Sequence, residues 1–272
     1  MQFFEYLERD SILHKLNPTI KLILIIMLML VVTFIYEPYT PLLFCIIALM
    51  QIMVLGKISF KPIIKMMLPL LLVLAAITLT SIISYNTASE IIPKIIINWW
   101  IFKISLNSIK FGLTIGIRTL CFLLYSLLFV LTTEPTDFII SLIIQLKLSP
   151  RVGFGTLAGY RFVPLLSAEY QNIYDAHKIR GSKERNNFIA KFGRFKRYTV
   201  PLIVTASRKA QRVAIAMDSK CFYAYHKRTY LRDLRIKKID IVYTVLFVVF
   251  SAAVILILSK FKIISWGYMS IK

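Results

Sequence analysis

The chain has 272 residues, 58% of them hydrophobic, and a formal charge of +21. A soluble domain of this length is rarely so apolar, so an ordinary water-borne globule is excluded. The cationic excess fits either nucleic acid or the cytoplasmic faces of a membrane protein, and repeated apolar runs of bilayer length decide for the membrane.

Residues 1–19 read as an amphipathic cytoplasmic arm. Asn17-Pro18 is a helix-start signal, and Lys21 follows it. The first expected span covers about residues 20–36. It is too long for a signal h-region and lacks a small-residue cleavage site, so it is expected to be retained. Glu37-Pro38-Tyr39-Thr40-Pro41 breaks it. A short second span is expected over about 42–55 and needs tilt or flanking residues to complete it. Gly56, Lys57, Lys61 and Lys65 then read as a basic loop on the cytoplasmic side.

The third expected span covers about 66–83. Residues 84–103, with Trp99-Trp100, read as an outer loop or shallow interfacial hairpin. The fourth span covers about 104–131. Within it, Gly112 and Gly116 are spaced for close approach of another helix. Arg118 interrupts the same run. An ionisable group inside a span is a functional candidate, and a structural role inside the bundle is the alternative. The fifth span covers about 239–258.

Between the fourth and fifth spans lies a basic block of 20 Lys and Arg against seven Asp and Glu over residues 133–237. It places this segment on the cytoplasmic side, although Lys260, Lys262 and Lys272 in the tail oppose that orientation. The block is helical by pattern. Thr132-Thr133-Glu134-Pro135 is a helix start with proline at the first helical position, and a helix over about 136–146 is expected to lie along the membrane surface. A second helix is expected from about 161–164 to Arg180, capped by Gly181 and carrying Lys178 and Arg180 in its last turn. A third covers about 187–222 with a bend at Pro201. On it Ala206, Ala210 and Ala214 form one stripe for close packing, and Arg208 and Arg212 form another that is free to meet carboxylates or water.

The fold class is therefore all-α, a polytopic membrane protein with about five spans and a helical coupling domain inserted before the last. Its expected domains are 1–132, 133–237 and 238–272. Cys45, Cys121 and Cys221 show no metal or disulfide spacing. His14, His177 and His226 are too scattered for a catalytic site. There is no phosphate-binding loop of the G-x-x-x-x-G-K-[ST] kind, so ATP hydrolysis is not expected here.

Several fragments, in this order, resemble the transmembrane T component of energy-coupling factor transporters, the CbiQ/EcfT family. They are Leu16-Asn17-Pro18-Thr19-Ile20-Lys21, Leu131-Thr132-Thr133-Glu134-Pro135-Thr136-Asp137-Phe138, Arg161-Phe162-Val163-Pro164-Leu165 and Ile179-Arg180-Gly181, followed by 206–217 and Arg228-Thr229. The resemblance covers nearly the whole chain. It departs at the second Ala-Arg-Gly signature, where Ser219-Lys220-Cys221 stands. Lysine lacks the planar fork of arginine, and cysteine opposes a left-handed cap.

The resemblance implies a non-catalytic, multi-pass subunit of a prokaryotic cell membrane, with its coupling domain in the cytoplasm. Its implied partners are two ABC ATPase subunits, a membrane substrate-binding S component for a vitamin or metal ion, and lipid, with no nucleic acid. It implies no cofactor on this chain, with ATP and magnesium held by the ATPases. Arg180, Gly181 and Lys220, supported by Arg208 and Arg212, are the expected ATPase-coupling residues. A conventional ABC permease would carry an E-A-A…G loop, and a membrane transferase would carry clustered aspartates for magnesium. Neither pattern is present in the sequence. The conventional permease, whose coupling helix also docks an ATPase, stays the first alternative, followed by a membrane transferase and by a channel or structural membrane protein with a basic lipid-binding domain.

Overall fold

The computed structural model describes residues 11–85, 95–99, 102–180, 188–222, 230, 232 and 234–260. The described residues are helical apart from one two-stranded hairpin. The chain divides into two compact units, Met1–Leu146 with Leu234–Lys272, and Lys147–Asp233.

In the first unit, α1 (Ile12–Lys15) leads to α2 (Pro18–Thr33). Asn17 caps α2 by accepting the Thr19 N–H at 3.1 Å, and Pro18 takes the first turn, where its missing N–H costs nothing. α3 (Tyr39–Met50) continues as a π-helical turn, Gln51–Leu55. α4 (Phe60–Ser84) begins earlier than the sequence pattern predicts and takes in Lys61 and Lys65. Pro62 falls in its first turn, where proline is tolerated.

The segment before α5 forms an antiparallel hairpin of β1 (Ile95–Trp99) and β2 (Phe102–Ser105), with Asn98 opposite Lys103 and Trp99 opposite Phe102. Ser105 and Ser108 then form a reciprocal capping box that starts α5 (Leu106–Thr132). α6 (Pro135–Gln145) begins with proline in its first turn, as predicted. α9 (Lys238–Lys260) completes the unit.

Three helices, α4, α5 and α9, are long and apolar enough to cross a bilayer. α2, α3 with its π turn, and α6 are apolar but shorter. The 16 residues of α2 rise about 24 Å, short of the roughly 30 Å hydrocarbon core. α5 is central: it packs on α2, α3 and α4. Phe44, Ala48, Leu124, Tyr125, Leu128 and Leu131 are among the residues of the buried core. Gly112 and Gly116 let α4 approach as their spacing predicts. A Cβ at Gly112 would sit 2.2 Å from Ile82 Cγ1, and one at Gly116 would sit 2.5 Å from Thr78 Oγ1.

The second unit is built on α7 (Pro150–Ile179) and α8 (Phe188–Ser219). α7 starts more than ten residues before the predicted point, with Pro150 in its first turn. Pro164 and Pro201, read as a start and a bend, both lie inside continuous helices. α7 and α8 run antiparallel. Glu169 pairs with Lys209 at 2.8 Å, and Tyr198 packs against Tyr170, Tyr174 and His177 with ring centroids 6.0, 6.0 and 5.4 Å apart. Phe154, near the start of α7, meets Phe222, just past the end of α8, at 5.2 Å.

The alanine stripe does not make this seam. Ala206 is half-buried, but Ala210 and Ala214 are exposed. The packed side of α8 carries Tyr198, Leu202, Lys209, Val213 and Met217 instead. Larger side chains, with the Lys209 stem among them, fill the space between the helices better than a flat alanine row.

Candidate coupling site

The expected coupling residues lie on the second unit. Arg180 is the C-cap of α7, with φ −72° and ψ 9°, and its N–H donates to the Ala176 carbonyl at 3.2 Å. The last turn also carries His177 and Lys178, so positive charge meets the negative end of the helix dipole. Beside Arg180, the Ile179 side chain is 86% exposed. Gly181 lies outside the described residues.

At the end of α8, Lys220 is the capping residue and Cys221 adopts φ 53°. The Phe222 N–H donates to Met217 O at 3.0 Å, and the Cys221 N–H donates to Asp218 O at 2.9 Å. These are the two bonds of a Schellman cap. The expectation that cysteine opposes a left-handed cap is thus met by a helix that makes the cap regardless, with a non-glycine residue in a costly conformation. The hydrogen bonds and the Phe154–Phe222 contact hold it there.

Arg208 and Arg212 are exposed along α8. None of Arg180, Arg208, Arg212 and Lys220 forms an ion pair with a described residue; the described ion pair of this unit is Glu169–Lys209. Because α7 and α8 are antiparallel, Arg180 and Lys220 lie at opposite ends of the pair. From the Glu169–Lys209 and Tyr174–Tyr198 contacts they stand roughly 30–40 Å apart along it, at 1.5 Å per residue. The geometry does not bring the two ends together, and Arg208, Arg212 and Lys220 share α8 while Arg180 stands on α7. It offers two separate cationic tips.

Arg118 belongs to the first unit. Its guanidinium donates to the Ile35 carbonyl just past the end of α2 and lies 5.3 Å above the Tyr36 ring. The Ile35 carbonyl lies beyond the helix, where no helical N–H reaches it, and Arg118 supplies a donor. Its Nε is buried without a partner. The cation thus fastens α5 to the end of α2.

Sequence reading missed a second polar constellation in the same unit. The Lys21 side chain is 2% exposed. Its ammonium donates to Thr132 O at 3.0 Å, Thr132 Oγ1 at 3.2 Å and Thr133 Oγ1 at 3.2 Å, which uses all three of its donors. Thr19 Oγ1 donates to Ser141 Oγ at 2.8 Å. Asp240 accepts the Asn17 N–H at 2.8 Å and the Lys237 N–H at 2.7 Å, and Asn17 Nδ2 donates to Leu234 O at 2.8 Å. The first fragment of the sequence resemblance therefore sits against the second, and through Asn17 it also meets the start of α9. The signal available in sequence was a lysine one turn inside an apolar helix, with Thr-Thr more than a hundred residues away.

The profile of the CbiQ family, described as cobalt transport protein, matches residues 9–231. The chain belongs to this family, that of the transmembrane T components of energy-coupling factor transporters. Among similar proteins is the energy-coupling factor transporter transmembrane protein EcfT of Ruminiclostridium cellulolyticum, 27% identical over 93% of this chain and 95% of that one. The EcfT protein of Clostridium kluyveri is 24% identical over 97% of both chains. That of Staphylococcus aureus is 27% identical over 85% of this chain and 87% of its own length. The match to the CbiQ family takes in both the Lys21 junction and the α7–α8 pair.

Proposed function

We propose that this T component couples ATP hydrolysis on two cytoplasmic ABC ATPase subunits to movement of a membrane substrate-binding S component that imports a vitamin or metal ion. The observation that carries the reading is the placement of Arg180 and Lys220 at opposite ends of one antiparallel helix pair. One partner groove cannot take both tips; two ATPase subunits, one at each, can. Each tip joins a cation to an exposed helix end, a geometry that meets a carboxylate through charge-assisted hydrogen bonds. Arg180 grips with two points, and Lys220 as a single charge. Arg208 and Arg212 add positive field along α8 and speed the encounter with acidic partners.

When the ATPases close on ATP, the two tips are drawn relative to one another. The helices pass that motion to the S component through their exposed apolar side chains, such as Val163 and Ile203, which are 60% and 61% exposed. The chain itself is non-catalytic and binds no nucleotide; ATP and magnesium belong to the partners. The second unit faces the cytoplasm, and its excess of Lys and Arg supports that side.

The test is substrate uptake by membranes carrying the whole complex with Arg180→Ala. Uptake falls at least tenfold at normal expression, while binding of substrate to the S component is unchanged. Normal uptake by this variant contradicts the reading.

A further inference from the structure

A groove of about 510 Å³ runs along α9 in the first unit. One wall is Val242, Leu246 and Phe250, and the opposite wall is Gln51 and Leu55 of the π turn; Ile12 of α1 also lines it. The surface is almost wholly apolar, and Lys238 lines it at the first residue of α9. The π turn shapes the second wall. It closes with the Gly56 N–H donating to Gln51 O at 2.9 Å, a bond five residues long that widens the helix there.

Three features identify the occupant. The groove follows α9 from Lys238 to Phe250, a rise of about 18 Å, which matches one leaflet of a roughly 30 Å hydrocarbon core. Its cation sits at the first residue of α9, the end of an apolar helix of spanning length, with the exposed Lys237 beside it in the chain. The acid nearest in sequence, Asp240, is 2% exposed and accepts two backbone N–H groups, so it is not turned out to neutralise these lysines. A partner helix would need no cation at the mouth. A neutral lipid would leave the cation unmatched.

We propose that this groove holds one acyl chain of an anionic phospholipid, with Lys238 and Lys237 on its phosphate. The bound lipid fills the space between α9 and the π turn and fixes α9 against the remainder of the unit. The site is independent of ATPase coupling.

The test uses the full chain purified in mild detergent and mixed with phosphatidylglycerol or phosphatidylcholine at equal concentration. Bound lipid is counted by native mass spectrometry. A phosphatidylglycerol with a photoactivatable acyl chain maps the contact. Phosphatidylglycerol is retained at least about fivefold over phosphatidylcholine, since each lysine at an anionic headgroup contributes roughly that factor. Lys238→Glu removes that preference, and Leu246→Trp, which fills the groove, removes the crosslink to α9. Should the tryptophan variant not fold, the charge-reversal variant decides. Equal retention of the two lipids, or a crosslink to α9 unchanged by Leu246→Trp, overturns the proposal. So does a copurified protein helix crosslinked along Val242 and Leu246.

Discussion

The two units of this protein treat their polar groups in opposite ways. In the first, charge is drawn inward and mostly bonded: Lys21 spends every donor on Thr132 and Thr133, Asp240 takes two backbone N–H groups, and Arg118 holds the chain just past α2 although its Nε has no partner among the described residues. In the second, Glu169 and Lys209 form an ion pair across the seam, and Arg180 and Lys220 stand exposed at the helix ends, Arg180 beside the exposed Ile179. A unit that satisfies its buried polar groups internally has a defined shape by itself. Cationic tips left without internal partners are open to acidic groups on other molecules. The contrast supports the proposal that the second unit serves recognition while the buried polar groups of the first serve stability.

The largest expected effect breaks recognition alone. Arg180→Ala with Lys220→Ala lowers copurification of the ATPase subunits at least a hundredfold, while the melting temperature of the chain in detergent changes little. Each single variant gives a smaller loss, and Arg180→Ala the greater one, since arginine makes the bidentate contact.

Next come variants that break stability alone. Lys21→Met leaves the Thr132 and Thr133 oxygens without their donor and costs about 2–4 kcal/mol. It is read as a fall in Tm, with the surviving folded protein still recruiting ATPases. Gly112→Leu forces Ile82 aside and costs about 1–3 kcal/mol, seen in the same melt. Glu169→Gln weakens a partly exposed ion pair and costs about 0.5–1 kcal/mol, measured against Lys209→Met in a double-mutant cycle. The smallest effect has the other sign. Cys221→Gly relieves a left-handed residue and stabilises the end of α8 by about 0.5–1 kcal/mol, visible as slower amide exchange at Phe222.

Features written into local chemistry were legible before the structure. The caps at Asn17-Pro18 and before Pro135 are read from residue type, and the long spans α4, α5 and α9 from their length and high hydropathy. Gly112 and Gly116 announce a close helix through their spacing. Features that depend on distant chain were not legible. Lys21 finds its partners 111 and 112 residues away, and no periodicity names them. The packed side of α8 was misassigned because alanine is compatible with both a tight seam and a solvent face; the volume opposite, filled by Tyr198 and Lys209, decides between them. The start of α7 was missed because Pro164 reads as a boundary, although an exposed proline can sit inside a long helix. Cys221 was read from propensity, which the hydrogen bonds of the cap override.

The central claim is that two separate cationic tips each engage one ATPase. It is tested most directly by purifying the tagged chain in mild detergent and weighing the intact complex by native mass spectrometry, for the natural sequence, for Arg180→Ala and for the double variant with Lys220→Ala. The expected result is two ATPase subunits on the natural chain, a weakened complex for Arg180→Ala and none for the double variant. A natural chain that never carries an ATPase, or a double variant that keeps both, contradicts it.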